Sequence, residues 1–171
     1  GTNAANNNTV RALRPALGPS DQIWSLALPN TADTVRSDLY LDYTRGWLLV
    51  PVVNGGGGIV GIDLSAAAGA TSPPPPPAAW SSTRRVLGGT NFSCQPRKIL
   101  DRIVVGSTTG TLANSVVVFH PDTIVSAPAG SSASFTVEGQ VKAVIPSGTN
   151  GVIYVTTNGR VGRLLLTTAP L

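Results

Sequence analysis

Asp38-Leu39-Tyr40-Leu41-Asp42-Tyr43-Thr44-Arg45-Gly46-Trp47-Leu48-Leu49-Val50-Pro51-Val52-Val53-Asn54, continued by Gly55 to Gly58 and Ile59-Val60-Gly61-Ile62-Asp63-Leu64, reads as three short strands and two tight turns. Residues 38–43 alternate, with Leu39, Leu41 and Tyr43 on one face and Tyr40 and Asp42 on the other, the period of a strand. Thr44-Arg45-Gly46 reverses the chain, and Gly46 takes a positive φ without a Cβ clash. Residues 47–53 are nearly all apolar, which marks a strand covered on both faces. Asn54 and the four glycines end that run, and 59–64 returns. Runs this short leave no room for an amphipathic helix.

The same grammar recurs twice downstream. A first unit spans about 21–66 and opens with a strand at 21–28, closed by Pro29-Asn30. A second, about 80–122, has strands expected at 84–87, 94–100 (interrupted by Pro96), 101–106 and 115–120. A third, about 133–168, has strands at 133–139, 141–145 and 152–155, then Asn158-Gly159, a hairpin signal, and 161–166. Leu48, Ile103 and Ile153 fall in register, as do Ile59, Val116 and Val161, at a repeat of about fifty residues. Residues 1–20, Asn-rich and then Pro- and Leu-containing, are expected as an extended N-terminal arm with one strand at 10–13. Pro73, Pro74, Pro75, Pro76 and Pro77 lie in a Pro-rich loop, 71–79, whose five prolines cannot join a sheet and favour polyproline II.

Composition agrees with an all-β, loop-rich chain. Of 171 residues, 19 are Gly and 14 are Pro, and charged residues make up 12%. That length suffices for one domain with a substantial core. The net charge of +4 is scattered, and its largest groups, Arg84-Arg85 and Arg97-Lys98, are too small for a nucleic-acid tract. No apolar stretch approaches the ~20 residues needed to span a bilayer. Cys94 is the single cysteine, which leaves no internal disulfide framework and is expected as a small buried hydrophobe. No methionine occurs, so a processed product, a fragment or part of something larger is expected; removal of a signal peptide is one route.

Alternating strand, Arg-Gly or Asn-Gly turn, strand ("GWLLVPVVN", "GVIYVTTN"), turn and strand ("GIVGIDLS", "RVGRLLLTT") resembles the blades of NHL-type, YVTN-type surface-layer and gluconolactonase-like β-propellers, over most of 21–168. The resemblance implies about three four-stranded antiparallel meanders, a partial propeller or part of a larger or oligomeric one. Closed propellers carry ~4–8 blades, so the open sheets of three need a cover: further blades, further copies, or a different protein partner.

The gluconolactonase-like resemblance also implies a divalent metal held by Glu, Asn and Asp. Here Glu138 is the only glutamate, and Asp42, Asp63, Asp101 and Asp122 stand at turns or strand ends, where Asp caps the backbone. His120 is the only histidine, so neither a zinc site nor a His-based triad can be completed within the chain. Gly55 to Gly58 lack the Lys-Ser/Thr and helix of a phosphate cradle and read as a flexible hairpin tip. Trp24, Trp47 and Trp80 suit packing between blades better than a sugar-stacking surface. No catalytic, cofactor-binding or metal residue is therefore assigned.

Two glycosylation sequons begin at Asn7 and Asn91. With the Ser72-Pro run, which resembles hydroxyproline-rich stretches of algal and plant matrix glycoproteins, they point to a secreted chain with Pro73 to Pro77 as hydroxyproline or O-glycan candidates. The reading is a non-catalytic, extracellular structural or adhesive propeller module that assembles through exposed blade edges. A fragment of a metal-dependent lactonase-like hydrolase and a jelly-roll coat subunit are the alternatives.

Overall fold

In the computed structural model, which describes residues 9–13, 22–28, 30–64, 85–121 and 132–167, every regular element is a strand. In chain order these are β1 (Thr9–Leu13), β2 (Gln22–Ala27), β3 (Tyr40–Asp42), β4 (Trp47–Pro51), β5 (Ile59–Asp63), β6 (Arg85–Val86), β7 (Thr90–Phe92), β8 (Arg97–Ile99), β9 (Arg102–Gly110), β10 (Ser115–Phe119), β11 (Ser132–Thr136), β12 (Val141–Ser147), β13 (Gly151–Thr156) and β14 (Val161–Leu165). All pairings between them are antiparallel, and strands follow one another across each sheet in chain order. A hairpin β1–β2 is followed by a first sheet β3-β4-β5-β6. The second sheet runs β11-β10-β9, with β7 and β8 both lying along β9, and the third is β12-β13-β14. These consecutive meanders are the architecture of propeller blades, whereas a jelly-roll alternates successive strands between two sheets.

Sequence and structure agree on the heart of each unit. Leu48, Ile103 and Ile153 lie in β4, β9 and β13, and Ile59, Val116 and Val161 in β5, β10 and β14. They differ in where one sheet ends. The strand expected to open each unit instead closes the sheet before it: Arg85 and Val86 pair with β5, and Ser132–Thr136 pairs with β10 along its whole length. The expected opening strand of the first unit, β2, likewise pairs with β1, which lies inside the stretch read as an arm. The physical reason is common to all three. Tight turns fix which strands pair through local geometry, whereas a strand delivered by a long connection has no register signal and takes the vacant edge of the preceding meander. The third sheet has three strands among the described residues rather than four.

Two apolar cores show the sheets stacked face to face. In β4, Trp47 and Leu49 enter one core while Leu48, Val50 and the following Val52 line the other with Val10 and Leu28. The continuous apolar run at 47–53 is thus covered on both faces. β10 is buried at all five positions and joins a core that takes Trp47, Leu49 and Ile59 from the first sheet and Val141, Val144 and Val152 from the third. Full burial of one such Val or Ile contributes about 1.5–3 kcal/mol. This core therefore holds three sheets together as one body.

Pro96 marks the irregularity expected of the second unit. It falls between β7 and β8, where the inner strand leaves β9 for four residues before pairing resumes at Arg97↔Val104. Gly106 of β9 takes up the gap: its N–H donates to Cys94 Sγ at 2.9 Å. Pro146 sits in β12 opposite Val152, on an edge strand, where a missing N–H is tolerated.

Candidate functional site

Among the described residues, the third sheet is the one that carries no fourth strand. Its pairing puts Ala143 with Val155 and Val161 in one row and Ile145 with Ile153 and Arg163 in the next. Side chains alternate across a sheet, so these rows share a face opposite to Val144 and Val152, which enter the core. On that outer face Ile145, Val161 and Leu165 are 48%, 70% and 61% exposed. Three of the six large exposed hydrophobic side chains among the described residues thus fall on one sheet face.

Among the described residues, β14 is an edge strand. Leu166 N–H donates to Asn150 O at 2.8 Å and Thr156 N–H to Arg160 O at 2.9 Å. The alternating ladder then turns the N–H and C=O of Val161, Arg163 and Leu165 away from β13. The equivalent strands β5 and β10 are covered on that side by β6 and β11. β14 itself is well set for pairing: the Tyr154 ring lies over Gly162 where a Cβ would stand, and no proline interrupts it.

The residues weighed for metal chemistry are not brought together. Asp42 caps its own turn, its Oδ1 accepting from Thr44 N–H at 3.1 Å and its Oδ2 standing 3.3 Å from Arg45 Nη1. Asp63 pairs across from Trp47 at the end of β5. Asp101 lies exposed between Arg102 and His120, 3.5 and 3.7 Å away, and Glu138 meets Arg160 in an exposed pair at 3.1 Å. Among the described residues no three His, Cys, Asp or Glu form a group able to hold a metal ion. Trp47 is buried; Trp80, Asp122, Asn7 and Pro73 to Pro77 lie outside the described residues, as does the 71–79 loop.

Asn91 lies in β7 with both ends of its amide engaged. Its Oδ1 accepts from Asn54 N–H at 3.0 Å and its Nδ2 donates to Thr109 Oγ1 at 2.8 Å. A glycan on Nδ2 would share that nitrogen with Thr109. Gly55 to Gly58 are a packed junction, not a free tip. Gly57 and Gly58 are buried, Gly58 N–H donates to Thr90 O at 2.6 Å, and Gly56 O accepts from Gly89 N–H at 2.8 Å. Sequence reading missed Asp33 and Arg85, whose buried ion pair holds this junction. Their separation along the chain left no local pattern.

No protein-family model matches the sequence, and no curated protein matches it. Among solved structures, BamB from Moraxella catarrhalis is similar at 10% identity and a TM-score of 0.44, over 94% of this chain and 54% of that one. The chain thus spans about half the length of BamB. The fold assignment stands on the strand order alone. Among the described residues no helix is long and apolar enough to cross a membrane.

Proposed function

We propose that this chain is a non-catalytic structural module of propeller type that assembles with further copies of itself through the third sheet. The observation behind this reading is the contrast between β14 and its counterparts. β5 and β10 each carry a fourth strand, while among the described residues β14 has no partner on that side and carries exposed Val161 and Leu165. An edge strand with unpaired backbone and exposed apolar side chains is a template for pairing unless something covers it. Arg163 is the one charge in β14, and a second copy supplies sheet faces and strands of matching chemistry. Head-to-tail contacts of this kind close into rings or run on as fibres. The extracellular setting belongs to the same proposal, with Asn7 and Asn91 as glycan acceptors and Pro73 to Pro77 as hydroxyprolines.

Sedimentation of the purified chain over a hundredfold concentration range tests the assembly. Dimers or larger species are expected, and Val161→Lys with Leu165→Lys should return the protein to 17.5 kDa without unfolding it, since exposed substitutions change stability by ~0.5 kcal/mol or less. A monomer throughout the range sinks the assembly reading. Peptide mapping of material from its native source tests the setting; unmodified Asn7, Asn91 and Pro73 to Pro77 would count against secretion through a glycosylating pathway.

A further inference from the structure

A cleft of about 500 Å³, open to solvent, lies where residues of the three sheets meet. Arg36 and Asp38 reach it from the approach to β3, Cys94, Gln95 and Arg97 from the break between β7 and β8, and Lys142 from β12. The third sheet departs from regular pairing where it contributes its cation, while the other two cations stand at or before the start of regular strands. Arg36 precedes the first pair of β3, and Arg97 follows the interruption at Pro96. Lys142 is the extra residue of a β-bulge between Val141↔Thr156 and Ala143↔Val155. Bulges re-aim side chains and gather beside functional sites. Two of the walls are tied together, because Gln95 Nε2 donates to Leu39 O at 3.0 Å.

The charges lining this cleft are unbalanced. Arg36, Arg97 and Lys142 face one carboxylate, Asp38. The ion pairs of the described residues join other partners and leave all three cations out. All three side chains are exposed to solvent, and an anion bound between them would draw on their combined positive field. The volume falls in the ~300–1,000 Å³ range of small-molecule sites. Guanidinium groups offer planar forks to carboxylate or phosphate oxygens, and the ammonium adds a point charge.

We propose that this cleft binds a small polyanion, with its carboxylate or phosphate groups held by Arg36, Arg97 and Lys142. The site is separate from the edge at β14 and does not depend on assembly. Citrate and pyrophosphate serve as probes for the two oxyanion classes, titrated into the full chain at constant ionic strength and followed by calorimetry and by amide NMR shifts. Saturable binding by either is expected, with shifts confined to 36–38, 93–97 and 142–145, and the better probe identifies the class. Arg97→Gln and Lys142→Gln should each weaken it about tenfold, in keeping with a charge-assisted hydrogen bond. Arg160→Gln removes the same charge from an exposed pair that does not line the cleft and should leave affinity within about twofold. Absence of saturation by both probes, or equal weakening by Arg160→Gln, overturns the proposal. Thermal melts of the three variants, expected to match the parent, separate lost binding from lost fold.

Discussion

Cys94 shows how one residue reports on its surroundings. Burial pushes its thiol up to about 11, while the N–H of Gly106, the charge of Arg97 and the N–H of Val144 pull it back. A folded value above the unfolded one means that the folded state keeps the proton longer. The resulting stability is complete below about pH 9 and is lost as pH rises through 11, to a total of about 2–3 kcal/mol. Urea midpoints of the parent and Cys94→Ala, compared at pH 8 and pH 11, should therefore converge at the higher pH. A gap that stays constant would show that the thiol does not titrate late. The burial of Cys94 was legible in the sequence, since a lone cysteine with no imidazole beside it behaves as a small hydrophobe. The positive φ of 57° at Leu100 was not. Leu100 and Asp101 form the two-residue turn between β8 and β9, and nothing in a leucine signals a left-handed backbone.

Elements delivered by long connections depend on side-chain ties where turn geometry is absent. β6 is two residues long, too short to hold its place by ladder bonds alone. Arg85 anchors it through Asp33 and the carbonyl of Gly57, and Asp33 Oδ1 also accepts from Gly56 N–H at 3.1 Å. The carboxylate is fully buried and the guanidinium nearly so. Asp33→Ala should therefore cost about 3–5 kcal/mol by leaving Arg85 unpaired, while Asp33→Leu combined with Arg85→Met should recover most of that loss. Equal destabilisation in the single and double variants, read from urea unfolding, would mean that the pair contributes more than relief of a stranded charge. Strands flanked by Thr44-Arg45-Gly46 or Asn158-Gly159 could be read directly from sequence, because those turns dictate the pairing. β6 and β11 could be found as strands but not assigned to a sheet. Their partners, β5 and β10, are chosen by vacancy and by contacts such as Asp33–Arg85, which lie far apart in the chain.

Across the described residues, the stack has a protected interior and ends on the three-stranded third sheet. The repeat was legible because each meander carries the same apolar second and third strands. The cleft between the three sheets was not legible, since Arg36, Arg97 and Lys142 come from three units and read singly as solvated charges. The uneven covering of the sheets sets a gradient of local stability. β10 is buried at every position and paired on both sides, so its amides should exchange hydrogen only through global unfolding. β14 has one neighbour among the described residues, and its amides at Gly162 and Leu164 should open at a markedly lower free energy. If copies add to this edge, protection at β14, including the outward amides of Val161, Arg163 and Leu165, should rise with protein concentration while that of β10 stays fixed. Val161→Lys with Leu165→Lys should remove the concentration dependence and nothing else. Native-state exchange on dilute and concentrated samples reads both effects. Equal protection of β14 and β10 in dilute monomer would mean that the edge is already covered within one chain and that assembly has no free strand to use.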